Sequence, residues 1–183
     1  MHSIEVVILL IDIVVLSLYI FITRKNFGIL PNLSISYYHY ERKHKYLGLV
    51  FPALIVLLCT TLMPIWIYDT VNGSAWAQHF VFLPCTALVC LLTVACTARY
   101  RETQKLIYIH YGFAILAATV TVIWFLVVGY RTCYIAITIL LAEVAAGLYT
   151  RTLRTCTLWW LEGAAFYSIL FILLVNHLFQ ISI

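Results

Sequence analysis

Long apolar runs alternate with short polar segments along the whole chain. Six apolar runs cover approximately residues 4–22, 46–68, 79–98, 106–129, 133–149 and 158–180. An α-helix crosses about 30 Å of hydrocarbon in roughly 20 residues, and it satisfies its own backbone hydrogen bonds inside lipid. β-Barrel strands would be shorter and would alternate apolar with polar residues. The pattern therefore predicts an all-α, polytopic membrane protein, a six-transmembrane-helix bundle with residues 1–183 as a single transmembrane domain.

The composition excludes a water-soluble globular protein. Of 183 residues, 64% are hydrophobic and 10% are charged, whereas soluble domains average roughly 45–50% apolar and about 25% charged residues. So few charges cannot cover a soluble domain of this length with a polar surface. The chain also lacks a basic arm or a soluble extramembrane domain, so we expect no nucleic-acid partner.

The distribution of Lys and Arg predicts the orientation. Cytoplasmic loops retain positive charge, and only Arg131 lies on the side opposite to the other ten basic residues. The loops after the first, third and fifth runs hold those ten: Arg24, Lys25, Arg42, Lys43, Lys45, Arg99, Arg101, Lys105, Arg151 and Arg154. We therefore expect a multi-pass protein of the cell inner membrane with both termini outside.

The predicted cytoplasmic loop over residues 23–45 is the most informative polar segment. Pro31 is expected to end a helix there, and a tyrosine cluster and a basic run follow it. Each Lys or Arg near an anionic membrane surface contributes roughly 1 kcal/mol to binding. We expect membrane lipids as partners, with anionic lipids at Arg42, Lys43 and Lys45. The alternative is a topology signal with aromatic anchors.

Two acidic residues fall near the middle of predicted spans. Glu5, Asp12 and Tyr19 repeat every seven residues, so they share one helix face, which must look inward. Glu143 lies about ten residues into the fifth run, on a face of small residues that permit close helix approach. Ionisable groups inside the hydrocarbon are functional-site candidates by default. We expect Asp12 and Glu143 to occupy one level as a binding site, the alternative being protonated carboxyls in interhelical hydrogen bonds.

A second candidate level lies nearer the cytoplasm. His110 is about four residues into the fourth run, and Glu162 is about as deep in the sixth. We expect these two residues to face each other and to be approached by Tyr37, Tyr38 and His39. The alternatives are structural. Glu162 would then be an acid favoured near the N-terminus of its helix. His110 would then only form hydrogen bonds to Tyr or Thr on other helices.

Four short motifs carry a resemblance to known proteins. LPNLSISYYH (30–39), LMPIW (62–66), IHYGFA (109–114) and WWLE (159–162) resemble segments of a group of small, uncharacterised multi-helix membrane proteins of Bacteroides-like bacteria. The PxxSIS stretch is more distantly similar to the Frag1/DRAM-type membrane families. The nearer resemblance implies a multi-helix membrane fold and an origin in Bacteroides-like bacteria. The distant one implies an association with lipid-anchor remodelling and assigns no residue.

Three hypotheses for function remain open. No HExxH, GxSxG, Walker or GxGxxG motif occurs, and we assign neither a metal site nor a cofactor. The first hypothesis is transport, a channel or ion binding along a polar path through the bundle. The second is a lipid-handling enzyme with a cytoplasmic-side His/Glu pocket, with or without a metal. The third is a non-catalytic module that assembles as a homo-oligomer through small-residue stripes.

Overall fold

The computed structural model describes residues 2–130, 132–151 and 157–179, and all regular structure within these ranges is helical. They contain seven α-helices: α1 (His2–Phe27), α2 (Ser36–Lys43), α3 (Val50–Asn72), α4 (Phe82–Cys96), α5 (Gln104–Val128), α6 (Cys133–Tyr149) and α7 (Leu158–Phe179). Three short 3-10 turns, Leu47–Leu49, Ala77–Phe80 and Tyr100–Glu102, precede α3, α4 and α5. The all-helical prediction is confirmed for the described residues.

Five of the helical segments described are long and apolar enough to cross a membrane. They are Ser3–Phe27, Leu47–Asn72, Ala77–Cys96, Gln104–Val128 and Leu158–Phe179. Each predicted apolar run coincides with one helix, but the fifth run corresponds to α6, which has only 17 residues. These helices are what a multi-pass membrane protein requires.

The polar segment after the first run is predicted as a loop, but part of it is helical. Helix α1 continues to Phe27 and ends at Gly28, which has a left-handed φ of 75° and donates its N–H to Arg24 O at 2.8 Å. Glycine adopts this conformation without steric cost. After Pro31 the chain forms the short helix α2 at Ser36, which the sequence analysis does not predict.

The second span is displaced by about one helical turn from its prediction. The 3-10 turn Leu47–Leu49 occupies the expected start, and α3 continues to Asn72 past the interior Pro64. The added C-terminal turn is held inside the fold, because Asp69 and Thr70 are buried and Thr70 Oγ1 donates to Trp66 O at 2.7 Å. A polar residue that bonds within its own helix is therefore compatible with the end of an apolar span.

The chain divides into two compact units, Met1–His39 with Thr132–Ile183, and Tyr40–Arg131. In the first unit, α7 packs against both α1 and α6. In the second unit, α4 packs against both α3 and α5. The prediction of one transmembrane domain stays a prediction.

The core of the second unit is aromatic. Trp66 of α3 and Trp124 of α5 are fully buried and stack with ring centroids 4.8 Å apart. Trp124 Nε1 donates to Thr70 Oγ1 at 2.8 Å, so the polar edge of the indole is satisfied inside the core.

Candidate intramembrane polar site

Helix α1 buries a polar stripe and exposes an apolar exterior. Its buried side chains alternate in steps of four and three residues: Glu5, Leu9, Asp12, Leu16, Tyr19 and Thr23. Asp12 is only 1% exposed, whereas Val7, Leu10 and Val14 are about half exposed. The inward face predicted from the seven-residue spacing of Glu5, Asp12 and Tyr19 is therefore confirmed. This arrangement is the reverse of a surface helix in a soluble protein.

Helix α7 runs antiparallel to α1 and contacts the stripe at Glu5. Four contacts fix the register. The His177 imidazole meets Glu5, and Tyr167 Oη hydrogen-bonds Ser17 Oγ at 2.7 Å. Gly163 lies beside Ile20, since a Cβ built on it would be 3.7 Å from Ile20 Cδ1. The Arg24 guanidinium lies 5.5 Å above the Trp160 ring centre.

The N-terminal end of α1 carries a buried pair of titratable groups. Glu5 Oε2 and His177 Nδ1 are 3.2 Å apart, and both side chains are buried. The neighbouring Asn176 donates to Ile172 O at 2.6 Å and to Thr132 Oγ1 at 3.3 Å. A carboxyl and an imidazole at this distance form an ion pair when the imidazole is protonated. The seven-residue spacing places Glu5 on the inward face, but no pattern in the sequence pairs it with His177.

Asp12 lies between two apolar layers of this helix pair. Leu9 and Leu16, one turn before and one turn after Asp12, are fully buried on the same face. Interpolation between the Glu5 and Ser17 contacts places Asp12 opposite approximately position 171 of α7. The α7 side chains buried near this height include Leu170 and Leu173.

Glu143 lies at a different height from Asp12. Gly147 of α6 adjoins Thr157, and Thr132 is hydrogen-bonded to Asn176, so these two pairs fix the α6/α7 register. Interpolation between them places Glu143 opposite about position 162 of α7. Nine residues of α7 separate this height from that of Asp12, which is about 13 Å. The registers therefore do not support the prediction that Asp12 and Glu143 share one level. Their approach within hydrogen-bonding reach stays a prediction.

Glu143 retains one unsatisfied oxygen. Its Oε2 is buried and has no hydrogen-bond partner within residues 2–130, 132–151 and 157–179, although the side chain as a whole is half-buried. A buried carboxyl oxygen without a partner costs free energy. Glu143 therefore remains a candidate binding residue on the α6 side of α7.

Glu162 binds the backbone of the loop that follows α1. Its Oε2 accepts the Leu33 N–H at 2.7 Å, and the Ser34 N–H also donates to the carboxylate. Within the loop, Asn32 Oδ1 accepts the Ile35 N–H at 2.9 Å. We call residues 30–36 the clamped loop. Its side chains are buried except for the half-buried Pro31, so Glu162 satisfies donors that are shielded from water.

Helix α1 holds the clamped loop from the other side. Tyr19 Oη is hydrogen-bonded to Ser36 Oγ, and Ser36 Oγ donates to Leu33 O at 2.5 Å. The stripe of α1 thus continues from Glu5 to the loop that Glu162 binds. These loop contacts are absent from the sequence analysis, because backbone donors leave no signature in a pattern of side chains.

The three aromatic residues predicted to approach Glu162 follow the clamped loop. Tyr37 is buried, and Tyr38 and His39 are half-buried. Tyr37 and Tyr38 meet edge to face at 5.4 Å, and the His39 ring lies 5.2 Å from Phe27. The loop does approach Glu162, through the backbone of Leu33 and Ser34. A role of Tyr37, Tyr38 and His39 in binding stays a prediction.

His110 closes a helix end in the second unit. Its side chain is 1% exposed, and its Nδ1 lies 3.1 Å from Oγ1 of Thr97, the residue that caps the C-terminus of α4. The imidazole also hydrogen-bonds the backbone at Val94 and Thr97. Such contacts satisfy carbonyls left open at the end of a helix, which favours the structural alternative. That His110 faces Glu162 stays a prediction.

The α1/α7 pair carries several side chains that can hold or pass a proton. Carboxyl, imidazole and phenol groups hold and release protons, whereas hydroxyl groups pass them on. Within residues 2–130, 132–151 and 157–179, no three His, Cys, Asp or Glu side chains gather closely enough to hold a metal ion. The described residues thus provide no support for the metal-dependent form of the enzyme hypothesis.

Comparisons with family models, with curated proteins and with solved structures give no match. A function for this chain must therefore follow from its own geometry.

Proposed function

We propose that this chain is a multi-pass membrane protein that binds and transfers a proton or a small cation at Asp12. The observation that carries the proposal is the polar stripe of α1, on which a 1% exposed carboxyl lies inside a helix with an apolar exterior. A carboxyl placed within hydrocarbon is costly and is usually retained for function. The leucine layers on either side of Asp12 would keep the site dry until the helix pair opens.

The topology is part of the proposal. It consists of six spans in the cell inner membrane, with α6 as the fifth span and both termini outside. It is supported by the coincidence of each apolar run with a helix and by the one-sided distribution of Lys and Arg. In a cysteine-free background, Ser74→Cys should be labelled by an impermeant maleimide from outside, and Lys43→Cys only from the cytoplasm. Labelling of Ser74→Cys from the cytoplasm alone would contradict this topology.

The transport proposal is tested with purified protein in liposomes that contain a pH-sensitive dye. A potassium diffusion potential set by valinomycin drives proton entry, and external choline replaces sodium in a parallel series. The wild type should acidify the lumen, and Asp12→Asn should reduce the rate at least about tenfold, because the amide has no carboxyl proton to exchange. Sodium entry without acidification, reported by a sodium-sensitive dye with external sodium but not with choline, would identify the cation as sodium.

Asp69→Asn is the matched control. Asp69 is also a buried aspartate on an apolar helix, but it lies in the second unit near the end of α3. It should retain the wild-type rate. Equal losses in Asp12→Asn and Asp69→Asn would assign the effect to general damage, and a wild type that moves no ion would reject the proposal.

The two other hypotheses, lipid handling and assembly, require other features of the same molecule. Lipid handling, with the proposed relation to the Frag1/DRAM-type families, requires Glu162 in contact with lipid. Yet this carboxylate already binds the clamped loop. Assembly through small residues requires them on an outer surface. Gly147 is used in the contact with Thr157 of the same chain, whereas the neighbouring Ala146 is exposed. We keep the relation to the Bacteroides-like membrane proteins as a proposal about origin.

A further inference from the structure

The net positive charge of the chain resides in two short segments of the second unit. Segments 40–46 and 99–105 together hold six basic and two acidic residues, which leaves a net charge of +4, the same as that of the whole chain. The five basic and five acidic residues elsewhere cancel. A topology signal alone requires only that basic residues lie on one side of the membrane, and it does not explain this concentration.

Arg99 links the two segments and contacts both of their acidic residues. Its Nη2 lies 2.8 Å from Glu41 Oε1, and its Nε lies 3.8 Å from Glu102 Oε1. An exposed ion pair of this kind contributes little stability, but it brings the segments together and places both acids against one guanidinium. The five other basic side chains are all exposed, and we call them the basic surface: Arg42, Lys43, Lys45, Arg101 and Lys105.

Exposed apolar side chains adjoin the basic surface. Tyr46 is 69% exposed and is followed by the exposed Leu47 and Leu49, at the start of a segment long enough to cross a membrane. Tyr108, 70% exposed, lies one turn beyond Lys105 on α5. Amphipathic aromatic rings at the ends of apolar helices are typical of the headgroup level.

We propose that the basic surface binds the phosphate groups of anionic phospholipids. Charge complementarity favours this ligand, and the adjoining apolar residues favour a lipid over a soluble acidic partner, because they need hydrocarbon beside the phosphate. Arg99 is a positioning residue in this account, since its contacts are with Glu41 and Glu102. The lipid site belongs to the second unit and does not depend on Asp12.

The test measures lipid selectivity of the full chain in phosphatidylcholine vesicles. Trace spin-labelled phosphatidylglycerol or phosphatidylcholine reports the relative association constant of each lipid with the protein. The wild type should prefer phosphatidylglycerol, and Arg42→Gln/Lys43→Gln/Lys45→Gln should reduce the preference at least about fivefold. Arg101→Gln/Lys105→Gln should also reduce it, because the two segments act together. The preference should fall as salt increases.

Arg24→Gln/Lys25→Gln is the matched control for the second variant. It removes two basic charges from the end of α1 in the first unit, where Arg24 and Lys25 are also exposed. Its preference should remain close to that of the wild type, and all variants should elute from gel filtration as the wild type does. Equal losses in the two double variants, or a wild type that binds both lipids equally, would overturn the proposal.

Discussion

Helices α1 and α5 are nearly equal in length, at 26 and 25 residues, but they bury different side chains. The buried face of α1 carries Glu5, Asp12, Tyr19 and Thr23 together with Leu9 and Leu16. The buried face of α5 is mainly apolar and aromatic: Ala117, Val120, Trp124 and Phe125 accompany His110 and Thr121. Both helices are apolar enough to cross a membrane, so hydropathy alone does not distinguish them.

The difference between these two buried faces shows that polar residues have two kinds of use in apolar helices. In the second unit, Thr70 satisfies an indole and His110 satisfies a helix end, so these two polar groups have a local structural reason. In the first unit, buried polar groups recur along the full length of α1, and α7 contacts α1 through the pairs Glu5–His177 and Ser17–Tyr167. Interhelical hydrogen bonds in membranes average only about 0.6 kcal/mol, so stability alone is a weak reason to retain Asp12.

The largest effect is expected from the aromatic core of the second unit. Trp124→Ala removes a fully buried ring that stacks on Trp66 and donates to Thr70. The free energy of unfolding should fall by about 3–5 kcal/mol. Denaturation in detergent, followed by circular dichroism, measures this loss. An unchanged midpoint would show that the stacked pair is not the core of this unit.

The tight contact between α6 and α7 should be the next most sensitive. A Cβ on Gly147 would lie 2.5 Å from Thr157 Cγ2, so Gly147→Ala should lower the free energy of unfolding by about 1–3 kcal/mol through overpacking. Gly112→Ala on α5 is the control, because nothing lies within 4 Å of its Cβ position. It should be neutral or stabilising by about 0.5–1 kcal/mol. Equal thermal shifts in the two variants would contradict the α6/α7 register.

Hydrogen exchange in the clamped loop tests whether the role of Glu162 is structural or functional. Glu162→Ala leaves the buried N–H groups of Leu33 and Ser34 without their acceptor, at a cost of about 1–3 kcal/mol. Hydrogen exchange over residues 30–36 should accelerate. Glu162→Gln retains an acceptor oxygen and should largely preserve protection.

Glu143→Ala is the control for the loop experiment, since this glutamate lies at about the same height on the neighbouring helix. It should leave exchange over residues 30–36 unchanged. If Glu162→Gln preserves the loop but abolishes ion flux, the carboxylate has a functional role beyond the clamp.

The smallest effects on the free energy of unfolding are expected when one hydroxyl is removed from each unit. Tyr167→Phe removes the bond to Ser17, and Thr70→Val removes the acceptor of the Trp124 N–H. Tyr167→Phe should cost about 0.6 kcal/mol. Thr70→Val should cost more, about 1–3 kcal/mol, because it leaves a buried donor unsatisfied. Chemical denaturation of both variants in one detergent measures the two losses, and the opposite order would contradict the assignment of the stronger polar contact to the second unit.

The sequence predicts the helical class and the inward face of α1 because both depend on local periodicity. Hydropathy locates each apolar helix to within a few residues, and the spacing of Glu5, Asp12 and Tyr19 fixes their shared face regardless of what packs against it. The short helix α2 escapes this method, since eight polar and aromatic residues provide no apolar run.

The heights of the acidic residues depend on tertiary structure. Counting from the ends of apolar runs places Asp12 and Glu143 together only if all helices begin at one membrane level with one tilt. The contacts of α7 with Ser17 and with Thr132 instead set two separate registers. The partners of Glu162 are likewise hidden from sequence, since Leu33 and Ser34 contribute backbone groups that any residue except proline would provide.

The central claim is that α1 buries its polar stripe, packs antiparallel to α7 and keeps its apolar side exposed. In a cysteine-free background, Ile20→Cys/Gly163→Cys should be cross-linked by a short bifunctional thiol reagent, because a Cβ at position 163 would contact the Ile20 side chain. Phe21→Cys/Gly163→Cys should not, since Phe21 is exposed on the apolar side. Efficient cross-linking of the Ile20 pair alone is the predicted result. Equal cross-linking of both pairs, or cross-linking through Phe21 only, would contradict the claim.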